Sequence, residues 1–329
     1  MPQARLFAPR VSLARKCLAW AMGLLVLLAL VASALLALSW APDLPVDALK
    51  ARWAAAPSQF ISVDGMQVHL RDEGPRDDPS PIVLLHGTSA SLHTWEGWAA
   101  ALRGQRRVIR FDLPGYALTG PSPRNAYNIG SDYPAFVLAV MDALKVQRFV
   151  LAGNSLGGQI AWHTALAAPA RVEKLILVDS SGYPLDSTSV PLGFRIARSP
   201  MLAPIMQYVL PRAVVESSLR NVYGQPERVT PELVDLFVDM TRREGNRAAL
   251  SERFKGGYTA DTARLAQIKA PTLILWGGQD RLIPPSHGER FEKAITGAQR
   301  VVFPQLGHVP HEEDAAQTVA AVKAFLALR

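Results

Sequence analysis

The sequence predicts an α/β protein, with a mainly parallel central sheet flanked by helices and a helical cap inserted into it. Three observations lead there. The runs "PIVLLHG", "RRVIRFDLPG", "RFVLAGNS", "KLILVDSS", "PTLILWGGQD" and "QRVVFPQLGH" are short and almost continuously apolar, the pattern of strands buried on both faces. Between most of them lie stretches with helical spacing, such as 132–144 and 159–168, and strands that alternate with helices build parallel sheets. One interval, 182–260, breaks that rhythm because it is far longer than a single crossover helix needs.

At the N-terminus, the basic segment 1–16 precedes an apolar one. The chain has 329 residues and a formal charge of +7, of which Arg5, Arg10, Arg15 and Lys16 supply four. The balance of +3 is spread thinly, with no basic run interleaved with aromatics, which argues against nucleic-acid binding. The single cysteine, Cys17, excludes an intramolecular disulfide and any cysteine-based metal site. Residues 17–40 carry no charge, and as a helix they exceed the roughly 30 Å of a hydrocarbon core. Trp20 and Trp40 stand near the ends, and Pro42 and Pro45 discourage continuation. This reads as an uncleaved transmembrane signal anchor. The alternative is secretion after cleavage at "ASA", 32–34, although the apolar run continues past it through Leu35, Leu36 and Leu38. Positive flanks stay in the cytoplasm. The rest of the chain is therefore expected outside it, which in a bacterium means the periplasmic face of the inner membrane.

A linker, 41–57, then leads to a core expected over 58–181 and 261–329, with the cap over 182–260. "FISVDGMQVHL" reads as a hairpin around Asp64-Gly65. Within the cap interval, Pro191, Pro200, Pro204 and Pro211 divide helical stretches with capping signals at Ser199 and Thr230.

Chemistry is expected first at Gly153-Asn154-Ser155-Leu156-Gly157, between a strand and a helix. This fits G-x-S-x-G, a strained turn that holds a serine clear of the sheet while flanking glycines relieve crowding. It does not fit a phosphate-binding loop. A serine hydroxyl needs a base, and the base needs a carboxylate to orient it. In this architecture the order is serine, acid, histidine. Asp280 follows a strand in "WGGQDRLIP" and His308 follows the last one in "PQLGHVPHEE". Asp179, which ends "LILVDSS", is the competing acid. His311 is read as structural or exposed, His86 as a loop brace, and His69, His93, His163 and His287 as structural. For a developing oxyanion, "LLHGTSAS" offers the backbone N–H of Thr88, and the N–H of Leu156 follows the serine.

Together "LLHGTSASLHTWEGW", "RFDLPGYALTGPS", "GNSLGG", "GGQDRLIP" and "GHVPHEE" resemble the landmarks of the α/β-hydrolase superfamily, in its order, across roughly residues 58–329. The resemblance implies the α/β-hydrolase fold and a serine hydrolase closest to esterase- and lipase-like members. It carries over Ser155 as nucleophile, Asp280 as acid, His308 as base, and Thr88 with Leu156 as oxyanion donors. Ala117 in "DLPGYALTG" departs from relatives that have a second glycine there. Dehalogenases and epoxide hydrolases of the superfamily use an aspartate where Ser155 stands. Carbon–carbon bond hydrolases often carry tryptophan after the histidine, where this chain has Val309. The expected reaction is cleavage of a small or lipid-like carboxylic ester through an acyl-enzyme, with no metal or organic cofactor. The expected apolar pocket residues are Leu202, Ile205, Met206, Val209 and Leu210. Alternatives are carbon–carbon bond hydrolysis, acyl transfer, or a non-catalytic ligand-binding protein on the same fold.

Overall fold

The computed structural model describes residues 12–184, 186–199, 201–255 and 261–328, and for Ala203 and Ile205 the backbone alone. Arg5, Arg10, Pro200 and the Ile205 side chain therefore lie outside the described residues. Helix α1 (Leu13–Leu38) starts at Ser12, whose hydroxyl accepts from the Arg15 amide at 3.4 Å. None of its residues is buried, and its length and hydropathy suit a membrane crossing.

The stretch read as a linker is more ordered than expected. Pro45 starts α2 (Val46–Trp53), Asp47 sits in its first turn, and Leu49 is buried. Proline and an early acid both favour a helix start. The sequence periodicity was too short to show it.

The hairpin follows, with β1 (Gln59–Val63) antiparallel to β2 (Met66–Glu73). Asp64 and Gly65 both have positive φ, the conformation a two-residue primed turn requires. Next come β3 (Ile82–Leu85), α3 (Glu96–Leu102), β4 (Val108–Phe111), α4 (Asp132–Ala143), β5 (Phe149–Asn154), α5 (Leu156–Ala167) and β6 (Val172–Val178). Among the described residues, five α-helices stand between β6 and the next strand: α6 (Leu192–Ala197), α7 (Ala203–Met206), α8 (Arg212–Val222), α9 (Pro231–Arg242) and α10 (Asn246–Lys255). Thr230 caps α9 by accepting from the Leu233 amide at 3.2 Å. The chain ends with β7 (Thr272–Gly277), α11 (Pro285–Ala294), β8 (Gln299–Phe303), α12 (Pro310–Glu313) and α13 (Ala315–Leu326).

The strands form one sheet of eight in the order β1-β2-β4-β3-β5-β6-β7-β8. Strand β2 runs antiparallel to β1 and β4, and every pairing from β4 to β8 is parallel. This is the α/β-hydrolase fold. Its strands show why the apolar runs are continuous. Val83, Leu85 and Leu151 pack on one face of the sheet, while Ile82, Leu84 and Val150 pack on the other with Trp95 and Trp98, as period-two side chains dictate. From β3 the chain steps first to β4 and then back across to β5, so strand order reverses at β3/β5. Open α/β sheets bind ligands outside the carboxyl ends of strands at such a switch point. Leu85 pairs with Gly153 there, which brings the loops after β3 and β5 together.

Candidate active site

Ser155 sits at that switch point, between the end of β5 and the start of α5, at φ 54° and ψ −114°. A non-glycine residue with positive φ is strained and needs surroundings that enforce it. Here the enforcement is close approach. A Cβ on Gly153 would collide with the carbonyl of Gly157, and one on Gly157 with the carbonyl of Leu85. The glycines flanking the serine are there because backbone occupies the space of their side chains. The Ser155 amide donates to the Val178 carbonyl at 3.0 Å, and its own carbonyl accepts from Ser181 at 3.0 Å. Strand β6 thus clamps the turn.

His308 and Asp280 arrive at the same edge. Imidazole Nδ1 lies 2.7 Å from Asp280 Oδ2, and both residues are buried. The other carboxylate oxygen accepts from the amides of Leu282 and Ile283 at 2.8 and 2.9 Å. With Nδ1 taken up by Asp280, Nε2 is the ring nitrogen that can act as a base.

Asp179, the rival acid, lies close by. One of its carboxylate oxygens, one from Asp280 and a His308 nitrogen all fall within 4.8 Å of one another. Its Oδ1 accepts from the Gly277 amide at 2.9 Å. Burial, and then the neighbouring Asp280, push its carboxyl well above the usual range, which favours its neutral form. The bond to His308 belongs to Asp280.

Ser155 and His308 line one cavity of about 130 Å³ with Gly87 and Thr88. A Cβ on Gly87 would stand 3.4 Å from Ser155 Cβ, so the loop after β3 passes directly beside the serine. Leu156 opens α5, and first-turn amides have no intrahelical acceptor. His86 braces this loop: its Nδ1 is 2.8 Å from the Gly87 carbonyl, and its Nε2 accepts from the Leu113 amide at 2.9 Å. Burial lowers its pKa, which suits a neutral ring.

Most of the cavity wall is apolar, with Phe194, Met206, Leu210, Leu219 and Phe237 among the lining residues. Of the expected pocket residues, Met206 and Leu210 line it and Leu202 and Val209 do not. Leu202 is turned outward, 43 % exposed. Val209 instead pairs its backbone with Trp40. Without a continuous helical period through prolines 204 and 211, sequence spacing gave no sense of which face looks inward.

His311 also lines the cavity, buried over Trp95 at a ring distance of 4.0 Å. Burial, reinforced by His308, lowers its pKa to about 3. Beside it, burial pushes Glu312 up to about 7.

Two supports escaped the sequence reading. Asn154 Nδ2 donates to the Val178 carbonyl at 3.2 Å and the His308 carbonyl at 3.0 Å, tying the serine turn to the histidine loop. It occupies a variable position of the motif, so nothing marked it. Glu313 Oε1 accepts from the Gly307 amide at 2.6 Å, while Oε2 accepts from Gly224 and Gln225 at 2.9 and 3.1 Å. Its place in "GHVPHEE" was the available signal.

A second serine–histidine–aspartate chain lies near the sheet's antiparallel edge. Ser58 Oγ is 2.9 Å from His69 Nε2, whose Nδ1 is 2.7 Å from Asp112 Oδ2. Ser58 Oγ also accepts from Arg71 Nε at 3.0 Å. Asp112 accepts from the Leu92 and Leu118 amides at 2.8 and 3.0 Å. Burial alone would raise its carboxyl, but the adjacent His69 overrides that and holds it at about 2. The remaining histidines are engaged elsewhere: His93 with the Trp53 carbonyl, His287 with Asp186, and His163 stacked on Trp162.

Comparison with known proteins agrees with this architecture. Residues 80–315 match the family model described as alpha/beta hydrolase fold. A dihydrolipoyllysine-residue acetyltransferase component of the acetoin cleaving system from Pseudomonas putida is 30 % identical over 253 residues, 75 % of this chain and 63 % of that protein. The chain thus spans under two thirds of that relative's length. A 2-hydroxy-6-oxo-2,4-heptadienoate hydrolase, also from Pseudomonas putida, is 28 % identical over 82 % of this chain and 96 % of its own. Among solved structures, a membrane phospholipase A described as a bacterial virulence factor superposes with a TM-score of 0.71 at 26 % identity, covering 94 % of this chain and 97 % of its own. The family match spans most of the chain and falls on the strand order and serine turn already described: the chain belongs to the α/β hydrolase fold family.

Proposed function

We propose that this protein is a membrane-anchored serine hydrolase that cleaves carboxylic esters with apolar acyl groups. One observation carries the reading: Ser155, held at positive φ, lines the same apolar cavity as His308, whose Nδ1 is bonded to Asp280. In this mechanism His308 Nε2 takes the Ser155 proton as Oγ attacks the ester carbonyl. The carbonyl oxygen becomes an oxyanion, met by the N–H groups of Thr88 and Leu156 and by the positive end of α5. The imidazolium, stabilised by Asp280, returns its proton to the leaving alcohol, and an acyl-enzyme remains. Water activated by the same imidazole then releases the acid and restores Ser155. Residues 182–260 act as the cap that walls the acyl pocket. Helix α1 anchors the chain, and the four N-terminal cations keep its start in the cytoplasm, with the catalytic domain in the periplasm.

The phospholipase likeness supports a lipid-like ester. The acetyltransferase relative supports an acyl-enzyme resolved by another acceptor, and the heptadienoate hydrolase supports a carbon–carbon substrate on the same residues. Labelling of the full chain with a fluorophosphonate, followed by a p-nitrophenyl ester series of rising chain length, separates these readings. Labelling at Ser155 with turnover that rises with chain length is expected. Labelling without ester turnover would move the substrate to another class, and no labelling of folded protein would remove the serine mechanism.

A further inference from the structure

Among the described residues outside α1, six large apolar side chains are exposed: Trp40, Leu192, Met201, Leu202, Tyr208 and Val302. Five of the six belong to the end of the anchor or to the segment 192–208. Met201 is 84 % exposed, and contiguous apolar exposure of this kind marks an interaction surface.

The two regions are joined. The Ala41 amide donates to the Tyr208 carbonyl at 2.8 Å, and the Leu210 amide donates to the Ser39 carbonyl at 3.0 Å. Trp40 stacks on Tyr208 at 5.6 Å with 10° between the rings. The segment that carries the exposed side chains is therefore fixed to the point where the anchor ends.

That segment is one layer thick. Gly193, Phe194 and Ala197 of α6 line the cavity, as do Met206 and Leu210. Leu192 and Arg195, three residues apart and hence on one helical face, are exposed, as is Arg198 just after the helix. An apolar face fringed by arginines is the composition of a segment that lies in a membrane interface, with cations at the headgroups and apolar side chains among the acyl chains.

We infer that the outer face carrying Leu192, Met201, Leu202 and Tyr208, with Trp40, docks on the lipid bilayer at the exit of α1, and that lipid acyl chains reach the cavity through this single layer. The continuity with α1 selects the partner: a surface stitched to the end of a membrane-spanning helix meets lipid before it meets anything else. The inference rests on α1 spanning the membrane, and the test separates the two.

Full-length protein in a Cys17→Ser background receives one cysteine by Met201→Cys, Leu27→Cys or Glu289→Cys, labelled with an environment-sensitive dye. It is placed in vesicles of phosphatidylethanolamine and phosphatidylglycerol that contain nitroxide lipids. Expected is strong quenching at 27 by nitroxides deep in the chains, strong quenching at 201 by nitroxides near the headgroups, and none at 289. Quenching at 27 with position 201 matching 289 overturns the docking and leaves the anchor standing. No quenching at 27 overturns both. A dye at 201 shielded from water yet unquenched by lipid assigns the face to a second copy of the chain and overturns the bilayer.

Turnover gives a second reading. Leu192→Asp with Met201→Asp is expected to slow cleavage of a long-chain ester dissolved in the vesicle by about tenfold, and to leave p-nitrophenyl acetate within about twofold. Equal effects on both substrates, or none on either, overturn the entry route.

Discussion

Among the described residues, two buried histidine–aspartate pairs each stand near a serine, and the two pairs are built alike. Each histidine sets Nδ1 at 2.7 Å from a buried carboxylate that also accepts two backbone amides. What differs is the serine. Ser155 stands in a strained turn at a helix start and lines a cavity. Ser58 follows a turn before an edge strand, does not line that cavity, and receives the Arg71 Nε–H. Ser155 faces the cavity from its strained turn, while at Ser58 the same groups close a hydrogen-bond network that pins the hairpin to β4. A base and an acid become catalytic machinery only where the backbone leaves the hydroxyl something to attack.

The sharpest way to break this comparison is at the serines. Ser155→Ala and His308→Ala are each expected to lower ester turnover by about 10⁴- to 10⁶-fold with the fold retained. Ser58→Ala should leave turnover within about twofold and cost about 1 kcal/mol in denaturant unfolding, the worth of a lost hydrogen bond. Fluorophosphonate labelling that survives Ser155→Ala and disappears with Ser58→Ala would reverse the assignment.

At the acids the expected effects are next in size. Asp280→Asn should lower turnover by about 10⁴-fold, because the imidazole loses its enforced tautomer and its charged partner. Asp179→Asn replaces a neutral carboxyl with a neutral amide and is expected to stay within about tenfold. If single-turnover acylation rates came out the other way round, the functional acid would be the one after β6.

Asp112 turns the second chain into a pH-dependent element of stability. Its folded carboxyl is held at about 2, below the ordinary carboxylate value. A depressed pKa stabilises the fold above the unfolded-state value, and that contribution fades as pH falls toward the folded one. It is on the order of 2 kcal/mol at neutral pH and is lost between about pH 4 and pH 2. Urea unfolding of wild type against Asp112→Asn across that range should show the two stabilities converging as the acid limit is approached. A constant gap would refute the linkage.

The smallest expected effect is at the cavity wall. Glu312 titrates at about 7, so the wall gains a charge as pH rises through neutrality. Turnover of long-chain esters is expected to decline about twofold to fivefold above pH 7, as apolar acyl groups meet a charged wall. Glu312→Gln should flatten that limb.

The strands, the hairpin turn and Ser155, Asp280 and His308 were legible because each is written locally, as an apolar run, an Asp-Gly pair, or a polar residue at a strand end. The choice between Asp179 and Asp280 was not local. Both end neighbouring strands, and only the loop after β7, which gives Asp280 the amides of Leu282 and Ile283, decides which one turns to His308. The pocket was the least legible part. Helix faces in the insertion depend on what they pack against, and Leu202 and Val209 carry the same hydropathy whether they line a cavity or not. Asn154 and Glu313 act through backbone groups far away in sequence, a role that composition does not mark.

Glu313 is also a latch. One of its oxygens holds the loop that presents His308, and the other holds the end of the α8 segment at Gly224 and Gln225. A further bond, from the His308 amide to the Val222 carbonyl at 2.7 Å, runs the same way. The roof of the pocket and the imidazole beneath it share a fastener. The end of α8 and the His308 loop are therefore held as one piece, so the height of the roof and the placement of the imidazole are set together.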